Sequence, residues 1–187
     1  IGITGDSQVR VDGKHTKEYR LWNNMLKRCY SVGCQKVRPT YIDCSVSENF
    51  RYLQYFKEWC NNQIGFNSVD EKGKPFALDK DILVKGNRVY NEDVCVFVPQ
   101  EVNLLFTKRD KSRGEYPIGV SFHKSRGMLT ATLNNKYLGY FNTAEQAFQV
   151  YKTAKEAYIK EVANKWKDKI DPKVYEALMN YEVHIDD

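Results

Sequence analysis

Two stretches decide how this chain is read: Leu78-Asp79-Lys80-Asp81-Ile82-Leu83, and Cys95-Val96-Phe97-Val98-Pro99-Gln100-Glu101-Val102-Asn103. Phe76-Ala77-Leu78 and Asp81-Ile82-Leu83-Val84 read as short apolar runs flanking a charged triplet, and Lys85-Gly86-Asn87 reads as a turn. Val94-Cys95-Val96-Phe97-Val98 is rich in β-formers. Pro99 stops that run and suits the first position of a short helix reaching Phe106, because its missing N–H would be unpaired there anyway. The order is strand, loop, strand, short helix. Asp79 falls at the edge of the first strand and Asn103 on the helix.

Upstream, a helix is predicted from Lys17 to Cys29 with Thr16 as its N-cap, and Leu21, Trp22, Met25, Leu26 and Cys29 form its apolar face. Tyr41 to Val46 reads as a strand after the break at Pro39. A second helix capped by Ser47 would bury Phe50, Leu53, Phe56, Trp59 and Cys60, and Asn61 to Pro75 reads as a loop. Downstream, Ile118–Phe122, Leu129–Leu133 and Tyr137–Phe141 are three alternating runs, and Asn134-Asn135 suits a tight hairpin turn. Thr143-Ala144-Glu145-Gln146 is a capping box that opens a long helix, with Ala147, Phe148, Tyr151, Ala154, Tyr158 and Val162 towards one side. Asp171-Pro172 caps a last helix. The predicted class is α+β: N-terminal helices and a strand–strand–helix (ββα) unit in residues 1–106, a basic linker at 107–115, then a three-stranded antiparallel sheet packed on one helix, and a short C-terminal helix, in 116–187.

The 187 residues carry a net charge of +5, which is uninformative until divided. Residues 71–106 are at −1, whereas residues 107–166 hold 11 Lys+Arg against 5 Asp+Glu. A basic module behind a near-neutral one points to a polyanion, since each cation near a phosphate releases counterions. No apolar run is long enough to span a bilayer, so no membrane partner is expected. Five cysteines with no CxxC pair read as reduced thiols in a cytoplasm, and zinc is not expected.

On these residues, the Asp79–Asn103 stretch resembles the HNH branch of the ββα (His-Me finger) nucleases. The resemblance implies that Asp79 and Asn103 ligate one Mg²⁺ or Mn²⁺ ion, leaving most of the shell to water and phosphate. It also implies a catalytic pair at Asp79 and the next position, where the family has a general-base His. Here that position is Lys80, and none of His15, His123 or His184 is near it in sequence. With Asp79 and Asp81 beside it, Lys80 is expected to act as a cation steadying the phosphate rather than as a base. The family's loop-bracing Asn aligns with Val94, beside Asp93. The wider stretch from Tyr19 to Phe106, with Trp22-Asn23-Asn24-Met25-Leu26-Lys27-Arg28-Cys29-Tyr30 and Pro39-Thr40-Tyr41, is similar to tailed-phage proteins often labelled HNH endonucleases.

Residues 116–165 resemble the DNA-binding domain of plant ethylene-response factors, which homing-type phage HNH proteins also carry at their C-termini. The matching features are Ile118-Gly119-Val120, Tyr137-Leu138-Gly139-Tyr140-Phe141 and Asn142-Thr143-Ala144-Glu145-Gln146-Ala147. The resemblance implies a sheet lying in the major groove of double-stranded DNA. Alternation along each strand then assigns the faces, with Val120, Leu129, Ala131, Leu133 and Leu138 on the helix. Ser121, His123, Met128, Thr130, Thr132 and Tyr137 face outward, and Lys124, Arg126 and Lys136 sit near the turns. Lys108 and Arg109 of the linker are further candidates for DNA contact. The expected activity is therefore a phage DNA endonuclease in the host cytoplasm. The alternatives are a non-catalytic DNA-binding or regulatory protein and a module directed at a host protein.

Overall fold

The structure is a computed structural model that describes residues 2–107, 115–185 and 187; Lys108 and Arg109 lie outside them. The fold is α+β. The chain forms two compact units, residues 1–103 with 168–174, and residues 104–167 with 175–187. No helix among the described residues is long and apolar enough to cross a membrane.

The first unit opens with a two-residue hairpin, β1 (Arg10–Val11) and β2 (Lys14–His15). Helix α1 (Lys17–Tyr30) follows, capped as predicted: Thr16 Oγ1 accepts the Tyr19 N–H at 3.2 Å. Trp22, Met25, Leu26 and Cys29 are its buried face, while Leu21 is only half-buried. The short α2 (Val32–Val37) leads to a 3₁₀ turn at Pro39–Tyr41, so of the strand predicted over Tyr41–Val46 only β3 (Ser45–Val46) forms. The helix predicted from Ser47 is likewise split. Ser47 Oγ accepts the Phe50 N–H at 3.3 Å, but the N-cap position of the 3₁₀ turn at Asn49–Arg51 is Glu48, and α3 runs only over Leu53–Asn61. The cause is long-range: Ile3 donates to the Arg51 carbonyl (2.8 Å) and accepts from Leu53 (2.9 Å), holding Tyr52 extended between turn and helix.

The ββα unit forms. Strand β4 (Ala77–Asp79) pairs antiparallel with β6 (Val96–Val98), with Ala77 opposite Val98 and Asp79 opposite Val96; β6 feeds helix α4 (Gln100–Leu104) through Pro99. Between them lies β5 (Val89–Tyr90), a strand the sequence reading missed, which pairs parallel with β3. The apolar run Asp81–Val84 forms no strand: the chain bends through it into a turn at Lys85–Gly86. Beneath the hairpin sits an aromatic core. The Phe97 ring lies 5.8 Å from Trp59 and 5.2 Å from Phe66, and Phe50 packs 4.8 Å from Trp59 and 5.1 Å from Phe56. Edge-on and tilted pairs like these add to the burial of large apolar area.

Four thiols share this interior: Cys29, Cys44, Cys60 and Cys95 are buried, and Cys34 is half-buried. Burial pushes the Cys29 thiol up to about 12 and raises Cys60 and Cys95 further, which keeps them protonated and poor as nucleophiles or metal ligands. Titration of the native protein with a maleimide at pH 7 should therefore label Cys34 first, with the other four reacting only after denaturant is added. Equal labelling of all five in the native state would contradict this packing.

The second unit carries the predicted sheet. Strands β7 (Val120–His123), β8 (Met128–Leu133) and β9 (Lys136–Phe141) are antiparallel in that order and pack on α5 (Ala144–Trp166). Asn134 and Asn135 both have positive φ (49° and 64°), as a two-residue hairpin turn of the primed type requires. Thr143 Oγ1 accepts the Gln146 N–H at 3.2 Å, as the capping box predicts. The apolar stripe of α5 drifts from the predicted one. Ala147, Phe148, Tyr151 and Val162 are buried as expected, but Ile159, Ala163 and Trp166 take the core places assigned to Ala154 and Tyr158, which are half-buried. The last helix, α6 (Pro172–Met179), opens where Asp171 accepts the Lys173 N–H at 2.8 Å.

Candidate functional site

The ββα unit and α1 enclose a cavity of about 330 Å³. Asp79, at the end of β4, and Asn103, on α4, both line it, as do Lys80 and Asp81. Helix α1 presents Leu21, Asn24, Met25 and Arg28 to the same space, at the spacing that puts residues on one face. Tyr41, Tyr90 and Gln100 are among the other lining residues.

Asp79 is held by its own turn. Its Oδ1 accepts the backbone N–H groups of Asp81 (2.7 Å) and Ile82 (2.9 Å). These two donors explain why β4 ends here: amides that a continuing strand would have offered to a neighbour are turned onto the carboxylate. Burial nevertheless raises the Asp79 carboxyl above its ordinary range, with the Asp81 charge adding to the rise and the two backbone donors opposing it. Asp79 Oδ2 and the Asn103 carboxamide make no hydrogen bond among the described residues. A carboxylate oxygen and an amide oxygen are hard donors of the kind Mg²⁺ and Mn²⁺ take, and Mg²⁺ in particular keeps several waters. No cluster of three or more His, Cys, Asp or Glu that could hold a metal exists among the described residues.

Lys80 is 6% exposed. Its Nζ donates to Asp81 Oδ1 and to the Asn87 carbonyl (2.6 Å), and it lies 5.7 Å from the centre of the Tyr90 ring. Held by these two acceptors, Lys80 positions Asp81 and the loop. No Asn stands at Val94, but Asn87, which the sequence reading took only as part of a turn, hydrogen-bonds across the loop. Asn87 Nδ2 donates to the carbonyls of Lys80 (2.8 Å) and Val89 (2.7 Å), and its Oδ1 accepts the Val89 N–H at 3.1 Å. Asn87 therefore closes the loop between β4 and β5 and fixes the residue that follows Asp79. Arg28 and Asn24 were also missed as site residues. The available signal was a pair of polar side chains at i and i+4 bordering the apolar stripe of α1.

On the second unit, cross-strand register sorts the predicted DNA contacts. Ser121, Thr130 and Tyr140 lie in one row, and His123 stands opposite Met128. Thr130 is not a surface group as expected: it is 6% exposed, and its hydroxyl bonds the Ser121 side chain (3.0 Å) and carbonyl (3.2 Å), which locks β8 to β7. Thr132 is half-buried, while Lys124, Arg126 and Lys136 are exposed and Tyr137 is 51% exposed. Strict alternation put Tyr137 and Tyr140 on opposite faces of β9, but a bulge at Ala131/Thr132 shifts the register. Their rings consequently meet at 4.9 Å, His123 stands edge-on to Tyr140 at 5.3 Å, and the Arg126 guanidinium lies 4.6 Å from the centre of the Tyr140 ring.

Compared with known proteins, the chain matches no family model, no curated protein and no solved structure.

Proposed function

We propose that the protein is a divalent-metal-dependent DNA endonuclease that cleaves at the Asp79–Asn103 cavity and holds the duplex with the exposed face of its second unit. The observation that carries the reading is the convergence of Asp79 and Asn103, read from sequence as a ligand pair, on one 330 Å³ cavity in a ββα unit. Asp79 Oδ2 and the Asn103 carboxamide would hold the ion. Once bound, it would supply Lewis-acid polarisation of the scissile phosphate and charge compensation at the leaving oxygen. The chain's own groups do the rest. The Asp81 and Ile82 amides fix the Asp79 carboxylate, Asn87 and Lys80 fix the loop that carries it, and Asp81 is the lining carboxylate able to take a proton from the attacking water. Lys124, Arg126 and Lys136, with His123, Tyr137 and Tyr140 among them, form a cationic and aromatic surface suited mainly to sugar–phosphate contact.

A non-catalytic DNA-binding protein is the second reading, favoured by Lys80 at the base position with its Nζ spent on internal acceptors. A supercoiled-plasmid nicking assay with Mg²⁺ or Mn²⁺ separates the two. Wild type should nick and Asn103→Ala should lose at least about 100-fold in rate, while both bind duplex equally. Replacing Lys124, Arg126 and Lys136 together by Ala should lower the slope of log K against log salt by about 2–3. Salt-dependent binding without cleavage in any metal would leave the second reading. Absence of duplex binding at low salt would remove both and favour a protein partner.

A further inference from the structure

We propose that Arg28 is the phosphate-binding residue of the cavity, gripping non-bridging oxygens of the phosphodiester beside the Asp79–Asn103 pair; this rests on the cavity being a phosphodiester site. Three observations carry it. First, Arg28 stands on the cavity face of α1, one turn beyond Asn24. Second, its guanidinium is presented by aromatic neighbours: it lies 5.3 Å from the centre of the Tyr41 ring and beside the buried Tyr90 hydroxyl. The Tyr41 segment is itself pinned, because Arg88 Nη1 donates to the carbonyls on either side, Thr40 at 3.0 Å and Ile42 at 3.2 Å.

Third, Arg28 forms no ion pair among the described residues. The two carboxylates of the cavity are engaged otherwise, Asp81 with Lys80 and Asp79 with backbone amides. Burial opposes its charge, but the Tyr90 and Tyr41 hydroxyls outweigh burial and keep the guanidinium charged, so what this half-buried cation lacks is an anionic partner. Its planar fork matches two oxygens of a phosphate, which a lysine cannot match in the same way. Placed with Asp79 and Asn103 around one space, the fork meets the negative charge that builds up on the phosphate as water attacks.

The test has two arms. In the first, plasmid nicking is compared at saturating DNA for wild type, Arg28→Ala and Arg28→Lys. The expected result is a 10²–10³-fold loss of kcat in Arg28→Ala with KM within about threefold, a loss of at least tenfold in Arg28→Lys, and partial recovery of Arg28→Ala on adding guanidinium ion. In the second arm, phosphorus NMR follows inorganic phosphate with the protein in EDTA. Line broadening seen with wild type should vanish in Arg28→Ala and weaken in Arg28→Lys. The proposal is overturned if folded variants nick at the wild-type rate, or if broadening is unchanged by either substitution. Should wild type itself not nick, the cleavage reading fails while the phosphate arm still decides the role of Arg28. Should Arg28→Ala fail to fold, the lysine variant, which keeps the charge and stem, decides in both arms.

Discussion

Asp79→Asn should abolish nicking, by a factor of about 10³ or more, and at the same time raise the melting temperature of the metal-free protein. The first half follows from the proposed chemistry: removing the only charged ligand of the ion costs on the order of 4 kcal/mol of transition-state stabilisation. The second half follows from how the side chain is held. An asparagine oxygen can still accept from the Asp81 and Ile82 amides, so the turn that ends β4 survives. What disappears is an ionised carboxylate whose proton affinity burial has raised. A carboxyl with a folded value above its unfolded 3.8 contributes stability below that pH and loses it as pH rises through the folded value, so at neutral pH the charge is a net cost. The stability gap between Asp79→Asn and wild type should therefore be present at pH 7 and close below pH 4. Asp79→Ala makes the contrast, since it removes the acceptor as well and should be less stable than Asp79→Asn by about 1 kcal/mol. Added Mg²⁺ should raise the melting temperature of wild type and leave Asp79→Asn where it was, because only a species that binds the folded state shifts the transition. Wild-type nicking by Asp79→Asn, or a lower melting temperature at pH 7, would remove the carboxylate from the role given to it.

The trade between stability and site chemistry at Asp79 also shows what a sequence can and cannot carry. The ββα order was legible because Leu78 and the Val96–Val98 run alternate or cluster as strands do, and because Pro99 punctuates the passage into α4. The turn after Asp79 was not legible. Asp81-Ile82-Leu83-Val84 has strand composition, but two of its amides are captured by a side chain two and three residues back, a choice invisible to periodicity. Strand β5 was missed for the complementary reason: two residues show no period, and they are a strand only because Ser45 and Val46, more than forty positions away, lie alongside. Tyr140 shares a face with Tyr137, three positions away, because one bulge inverts everything beyond it on a strand of period two. Arg28 was not singled out, because α1 was read for its apolar face of Leu21, Trp22, Met25, Leu26 and Cys29. Its lack of an acidic partner is a property of the folded surroundings alone.

Gly119→Ala should unfold or nearly unfold the sheet–helix unit. Gly119 has φ +75°, and a Cβ built there would stand 2.0 Å from the Tyr151 ring, with two more ring atoms at 2.2 and 2.5 Å. Tyr151 is itself buried on the core face of α5. The backbone is equally committed, since the Gly119 carbonyl accepts the Thr132 N–H at 2.8 Å, at the bulge that sets the register of β9. The left-handed conformation costs an alanine roughly 1–2 kcal/mol, and forcing a methyl into a packed ring adds about 1–3 kcal/mol. Together these take a large part of the 5–15 kcal/mol that typically holds a domain. Gly127→Ala separates the two terms. It has φ +66° but open space where the methyl would go, so it should lose only the conformational part, about 1–2 kcal/mol. Urea unfolding followed by tryptophan fluorescence, to which Trp166 contributes from this unit and Trp22 and Trp59 from the other, measures both as the transition that the two substitutions shift. Duplex binding should fall with Gly119→Ala and persist with Gly127→Ala, because the exposed Lys124, Arg126, Lys136 and Tyr137 keep their places only while β7, β8 and β9 keep register. Equal midpoints for the two variants would mean that Tyr151 yields to the methyl, and that the close approach of strand and helix at Gly119 is not what holds this sheet in place.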